Sequence, residues 1–236
     1  ETGGWLVAMI AMKNRKIWFL AGLGVAAMSA FFLAVMRPPG VQSSAPGRDM
    51  PWQVTRNKDG TSITVFGLTL GESKVRDAVT KLGRRYELGL FQDKTDRLTL
   101  EVYFRDAVVG GLNARLVLSA RLPEPMLNAI RTHAGDGQPS AEGGRRYPVA
   151  EVDADLALSA TIATITYMPV VKFDADLVRK RFGEPAEQVK VEGGAHWLYP
   201  ASGLDLLLGD NGETLLQYVS PPEFEQRLRA PLRGRE

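Results

Sequence analysis

A run of 20 residues without a charged side chain, residues 17–36, sets the first limit on how this 236-residue chain can fold. The run (IWFLAGLGVAAMSAFFLAVM) is apolar on every face of a helix, which is not the pattern of a surface helix in a globular domain. At a rise of about 1.5 Å per residue, a helix over it is about 30 Å long, the thickness of a bilayer's hydrocarbon core. The sequence therefore predicts a transmembrane helix over residues 17–36, in contact with the lipid bilayer.

The charges beside this segment predict its orientation. Three cations lie within residues 13–16, whereas only Arg37 closely follows the segment. Because positive charge stays on the cytoplasmic side, residues 1–16 are expected in the cytoplasm and the rest of the chain outside it. Ala27-Met28-Ser29 is an acceptable signal-peptidase site, so a cleaved signal peptide is the alternative. The apolar run continues through residues 30–36, which a cleaved signal does not need, and this favours an uncleaved anchor.

Composition excludes several classes of site. The chain has no cysteine, so disulfides, thiolate nucleophiles, Cys-ligated zinc and a lipid-modified cysteine are excluded. His133 and His196 are its two histidines, too few for a three-His metal site. The cations beside the apolar run account for the positive net charge, since 25 basic and 26 acidic residues remain from Pro38 onward. We therefore expect no cofactor and no nucleic-acid partner.

After the anchor, residues 37–50 are rich in Pro, Gly and Ser and predict a flexible linker. Residues 51–134 and 148–228 are expected to form two similar α+β lobes. Between them lies a polar loop, residues 135–147 (GDGQPSAEGGRRY), and residues 229–236 form a C-terminal tail.

Short alternating segments predict mostly strands with a few short helices. Helices are expected over residues 124–133, from a capping box at Thr69-x-x-Glu72 to Gly83, from Asp174 to Gly183, and from Ser220. Strands are expected at 62–66, 86–91, 98–104, 112–122, 161–167, 188–191, 197–199, 204–208 and 214–219. Short connections such as Asp210-Asn211-Gly212 indicate hairpins, so the predicted fold class is α+β with antiparallel sheets.

These motifs resemble the SmpA/OmlA (BamE) group of small bacterial envelope domains, in two degenerate copies. The first copy is carried by Gly67-Leu68-Thr69, Val75 and Leu82-Gly83. The second is carried by Val178, Phe182-Gly183-Glu184-Pro185, Trp197, Tyr199, residues 204–208 and Asn211-Gly212. The resemblance implies an α+β fold in the bacterial envelope, with the transmembrane anchor in place of the lipid anchor. It places the chain in the bacterial inner membrane, with its C-terminal domain in the periplasm.

The most unusual short segment is His196-Trp197-Leu198-Tyr199-Pro200. In a strand, Trp197 and Tyr199 lie on one face, where they form either a platform for glycan or peptide or part of a small core. His196, Trp197 and Tyr199 are therefore the candidate binding surface. Two acidic sets, Glu151-x-Asp153-x-Asp155 and Asp93-x-x-Asp96, could hold a hard cation, but neither has the rest of a calcium loop.

Three functions remain open at this point. The leading expectation is a membrane-anchored periplasmic domain that binds another envelope or membrane protein, as a scaffold or accessory subunit and not as an enzyme. The alternative is a binding module for cell-wall glycan or peptide that uses Trp197 and Tyr199, which predicts exposed rings. A carboxylate-dependent hydrolase is the third, and it predicts acids that converge in a pocket.

Overall fold

A computed structural model describes residues 49–140 and 144–233, which form a large and a small antiparallel sheet with four short helices. The large sheet has ten strands, and the small one has three. The ten strands are β4 (Tyr86–Gln92), β5 (Leu98–Val109), β6 (Leu112–Arg121), β7 (Gln138–Pro139), β8 (Arg145–Pro148), β9 (Thr161–Pro169), β10 (Glu187–Val191), β11 (Gly194–Tyr199), β12 (Leu204–Gly209) and β13 (Thr214–Val219). Their order across the sheet is β10-β11-β12-β13-β9-β6-β5-β4-β8-β7. The small sheet consists of β1 (Thr55–Arg56), β2 (Ile63–Val65) and β3 (Leu68–Thr69).

The helices are α1 (Val75–Leu82), α2 (Glu124–His133), α3 (Ala154–Leu158) and α4 (Ala175–Phe182). Helix α4 begins as predicted, because the Leu177 amide donates to the Asp174 carboxylate at 2.7 Å. The predicted capping box at Thr69 is wrong. Thr69 lies in β3, and α1 begins six residues later, where the Lys74 amide donates to the Asp77 carboxylate at 2.7 Å. Gly83 and Gly183, both at positive φ, end the two helices as expected.

The main hydrophobic core lies on one face of the ten-stranded sheet. Alternate residues of every central strand point to this face, so that, for example, Val102, Leu118 and Ile165 lie side by side in register. The small sheet and helices α1, α2 and α4 cover them, contributing Ile63, Val75, Ile130 and Val178 among other buried residues. Burial of these apolar side chains is the main favourable contribution to folding.

The C-terminal segment, residues 220–232, packs on the opposite face. It begins at Ser220 as predicted, but it forms a 3₁₀ turn, a π-helical turn over Glu225–Arg229 and a second 3₁₀ turn. Phe224, Leu228 and Leu232 are buried against Leu198 and Val219 of the sheet, in a second and smaller hydrophobic cluster. The opposite face is therefore only partly covered.

The coarse fold prediction is confirmed, since the described residues are rich in antiparallel sheet with short helices. Apart from β1–β3 of the small sheet, however, the strands of the two predicted lobes belong to one sheet, which is continuous where β6 pairs with β9. The predicted polar loop at 135–147 includes β7 and most of β8, and β8 pairs with β4. The predicted cytoplasmic N-terminus (1–16), transmembrane helix (17–36) and nearly all of the linker (37–50) lie outside the described residues. No helix among residues 49–140 and 144–233 is long and apolar enough to cross a membrane.

Candidate functional site

The second face of the large sheet carries a band of polar side chains across five strands. We call it the polar face. One cross-strand row places Glu101, Ser119 and Thr164 next to one another, and the neighbouring row places Thr166, Gln217 and Asp205 next to one another. Such a row follows from the period of two, because each of these residues except Thr164 lies between two apolar neighbours that point into the main core.

An irregularity in the pairing of β6 with β9 shapes the middle of this band. Ser119 pairs with Thr164, whereas the next residue of β6, Ala120, pairs with Ile162, so Ala163 is an extra residue in β9. The extra residue lets Ile162 and Ile165 both point into the core although they are three positions apart. Thr164 and Thr166 consequently point to the polar face.

A groove of about 470 Å³ lies between the sheet and the C-terminal segment. Its floor is formed by Ser119, Thr164, Thr166 and Gln217 of the polar face. Gln226, Arg227, Leu228 and Pro231 of the segment form one wall. Leu98, Leu122 and Leu127 add apolar surface, and Arg97 and Arg121 lie at the rim. A groove of this volume is within the range that small ligands and short peptide segments occupy.

The floor of the groove has polar groups without partners. Thr166 is 5% exposed and Gln217 is 7% exposed, so both side chains are almost fully shielded from bulk water. Within the part of the chain that the structure describes, neither they nor Ser119 and Thr164 form a side-chain hydrogen bond with another residue. Among the described residues, none of these four side chains has a fully buried N or O atom that lacks a hydrogen-bond partner, so the hydroxyl and amide groups face the open groove. Their free hydrogen-bonding capacity makes the groove the candidate binding site.

Both ends of the polar band, in contrast, are paired within the protein. At one end the buried Glu101 carboxylate accepts a hydrogen bond from the Tyr103 hydroxyl, and the Arg146 guanidinium lies 3.9 Å from the centre of the Tyr103 ring. At the other end His196 Nδ1 lies 2.9 Å from both carboxylate oxygens of Asp205, and each of these residues is 3% exposed. Of the six residues in the two rows, the four without a side-chain hydrogen bond among the described residues are thus the four that line the groove.

The arginines of the groove are held by acids that lie outside its lining. Glu223 contacts both Arg121 and Arg227, the latter at 3.0 Å, and Asp93 contacts Arg97 at 3.3 Å. Burial alone would raise the pKa of Asp93, but hydrogen bonds from Thr95 and Arg97 and the Arg97 charge together lower it below its usual value.

His196, Trp197 and Tyr199, the candidate binding surface, are all buried, so the two rings are placed as the small-core alternative expects and not as an exposed platform. Trp197 is 4% exposed, in the main core under the Arg179 guanidinium, and it borders a shallow cavity beside α4. The Tyr199 hydroxyl donates to the Gly183 carbonyl at 3.1 Å, which joins β11 to the end of α4. Burial raises the pKa of Tyr199 to about 12, with the Glu184 charge adding to the rise and the Arg179 charge opposing it. Both rings fill the core because their strand positions alternate with His196 and Leu198 on the other face.

The two predicted acidic sets lie apart and serve local structure. Asp93 closes the turn between β4 and β5, where its carboxylate accepts from the Thr95 amide at 2.8 Å. Asp153 holds His133 Nδ1 at 3.0 Å, whereas Glu151 and Asp155 are exposed. Among residues 49–140 and 144–233, no three His, Asp or Glu side chains come together as a metal site.

Comparison of the chain with models of known protein families, with curated proteins and with solved structures gave no significant match. The resemblance to the SmpA/OmlA group therefore stays a prediction from short motifs.

Proposed function

We propose that this chain is a membrane-anchored periplasmic protein-binding domain, and that it holds a peptide segment of another envelope or membrane protein in the groove of its polar face. The observation that carries the proposal is the groove floor, where nearly buried hydroxyl and amide groups have no partner among the described residues. A ligand that supplies those partners replaces groove water with hydrogen bonds to side chains that the sheet already holds in place.

The chemistry of the groove favours a peptide over a glycan. Thr166 and Gln217 each offer both donor and acceptor atoms, which match the alternating N–H and C=O groups of an extended main chain. The leucines at the walls provide contacts for apolar side chains. Among the described residues, the one aromatic residue that borders the groove is Tyr218, whose hydroxyl donates to the Pro51 carbonyl at 2.7 Å on the core side of the sheet. The lining that the structure describes thus offers no ring on which a sugar could stack.

The membrane setting rests on the sequence. Residues 17–36 have the length and apolarity of a transmembrane helix, and residues 37–50 have the Pro, Gly and Ser content of a flexible linker. A tethered domain with a peptide groove suits an accessory subunit, because the anchor keeps the domain close to partners in the same membrane.

A peptide-display selection on the full chain in mild detergent tests this function. We expect a phage-displayed heptapeptide library to yield binders, whose dissociation constants are then measured by fluorescence anisotropy. Gln217→Leu removes the floor amide and should weaken the selected peptides about tenfold, which corresponds to about 1.4 kcal/mol. The matched control is Gln188→Leu on the exposed edge strand β10, and it should change affinity less than twofold.

The same preparation is titrated with a tetramer of N-acetylglucosamine. Saturable binding of this sugar, together with no selected peptide, would favour the glycan-binding alternative. Peptides that bind equally to wild type and Gln217→Leu would show that the groove is not the site.

A further inference from the structure

The groove has a one-sided charge. Among the described residues that line it are Arg97, Arg121 and Arg227 but no Asp or Glu. All three arginine side chains are at least 39% exposed, so they are accessible to a ligand that enters from solvent. The excess of basic residues in the lining contrasts with the near balance of charge from Pro38 onward, where 25 basic and 26 acidic residues occur. The charged residues of the described lining are thus all basic, and their acidic partners Asp93 and Glu223 lie outside it.

The acids that hold these arginines leave room for another anion. Glu223 is shared between Arg121 and Arg227, so one carboxylate serves two guanidinium groups. A guanidinium has five N–H donors in a planar arrangement, and a single carboxylate oxygen occupies only part of it. The remaining donors fit the two oxygens of a second carboxylate.

We infer that the segment bound in the groove carries a carboxylate, and that Arg121 and Arg227 bind it at the end of the groove next to Glu223. This inference rests on the proposed peptide-binding function and names the chemical class of its ligand. The neutral side chains at the floor bind the main chain of the peptide, while the arginines bind its carboxylate. The carboxylate has two sources, an acidic side chain or the free C-terminus of the partner.

Four mixtures of heptapeptides distinguish these sources. Each has random residues around a fixed central residue, either Glu or Gln, and ends in either a carboxylate or an amide. Binding to the full chain in detergent is measured by fluorescence anisotropy. We expect the mixture with Glu and an amide end, or the one with Gln and a carboxylate end, to bind about tenfold tighter than the mixture with Gln and an amide end.

A double variant and a control variant test whether the preference for a carboxylate depends on Arg121 and Arg227. Arg121→Gln combined with Arg227→Gln should remove the tenfold preference and leave the affinity for the neutral mixture within twofold. Arg56→Gln, an exposed arginine on β1, should keep the preference. Since the paired variant also loosens the C-terminal segment, Glu223→Gln provides a second test. It removes the competing acid and should increase the preference for the charged mixtures.

The outcomes separate this inference from the proposed function. If all four mixtures bind the wild-type groove equally and Gln217→Leu weakens them, peptide binding stands and the carboxylate inference is overturned. Equal loss of preference in Arg56→Gln would overturn it as well, because the charge effect would then not be local. If no mixture binds, both the function and its ligand class are wrong. Tighter binding of a phosphorylated polymer such as polyphosphate than of any peptide would identify a polyanion site instead.

Discussion

If the unpaired floor groups serve a ligand, removing them should stabilise the fold. Thr166→Val replaces a hydroxyl by a methyl group of nearly the same volume, and Gln217→Leu replaces an amide by an apolar group. Both side chains are more than nine-tenths buried, and neither amide nor hydroxyl has a partner in the described residues. An unpaired buried polar group costs about 1–3 kcal/mol, and contact with water in the groove offsets part of that cost.

We therefore expect each variant to raise the free energy of unfolding by about 1 kcal/mol. For a domain of this size, that corresponds to an increase in Tm of about 2–4 °C. Thr166 and Gln217 are direct neighbours across β9 and β13, so the double variant should deviate from the sum of the two. The assay is thermal unfolding of the full chain in detergent, followed by circular dichroism, with urea unfolding as a second measure.

Thr214→Val is the matched control. Thr214 is also buried, but its hydroxyl donates to the Gly212 carbonyl at 3.3 Å and accepts from the Phe173 amide at 3.4 Å. The same substitution there should lower the stability by about 1 kcal/mol. If Thr166→Val and Gln217→Leu destabilise the protein as Thr214→Val does, then the floor groups serve the fold and the argument for a ligand fails.

Three further predictions concern the surroundings of the groove. Asp205→Ala leaves His196 buried without its carboxylate and should cost about 3 kcal/mol in urea unfolding, whereas Ala at the exposed Asp155 should change stability by less than about 0.5 kcal/mol. The pKa of Tyr199 is raised from 10.0 to about 12 in the fold, so the stability that the neutral side chain contributes is complete below pH 10 and is lost as the pH rises toward 12. Tyr199→Phe should flatten that part of the curve of stability against pH. An unchanged slope would show that Tyr199 is not the group responsible. Phe224→Ala removes the buried anchor of the C-terminal segment and should destabilise the protein by about 3 kcal/mol while weakening peptide binding; full peptide affinity in a folded Phe224→Ala variant would show that the segment is not a wall of the site.

Strand positions were predictable from the sequence because strand periodicity is local. Helix α2 was predicted with its observed bounds, and the hairpin turn at Asn211-Gly212 joins β12 and β13 as expected. The single ten-stranded sheet was not predictable, because the pairing of β6 with β9 joins residues 40 or more positions apart. The local pattern of a strand does not indicate which distant strand pairs with it. The start of α1 was misplaced for a related reason, since Thr69 takes part in the small sheet and is unavailable as a cap.

The groove was missed although its signal is present in the sequence. In β9 the apolar residues Ile162 and Ile165 are three positions apart, which breaks the period of two and indicates a bulge. Gln217 is likewise a polar residue within the otherwise apolar strand β13. Trp197 and Tyr199 were named from the sequence as candidate binding residues instead, because large rings are typical both of a binding platform and of a small core. Only the register decides between these, and it places both rings on the core face.

The most direct test of the account is photo-crosslinking of the full chain in its native membrane. A photoreactive amino acid replaces Thr164 at the groove floor, or Thr80 on the exposed surface of α1 as the control. The account predicts a discrete protein adduct from position 164 that is absent from position 80, with the crosslinked partner peptide containing an acidic residue or a free C-terminus. Adducts that are the same from both positions, or an adduct from position 80 alone, would contradict the groove as the binding site.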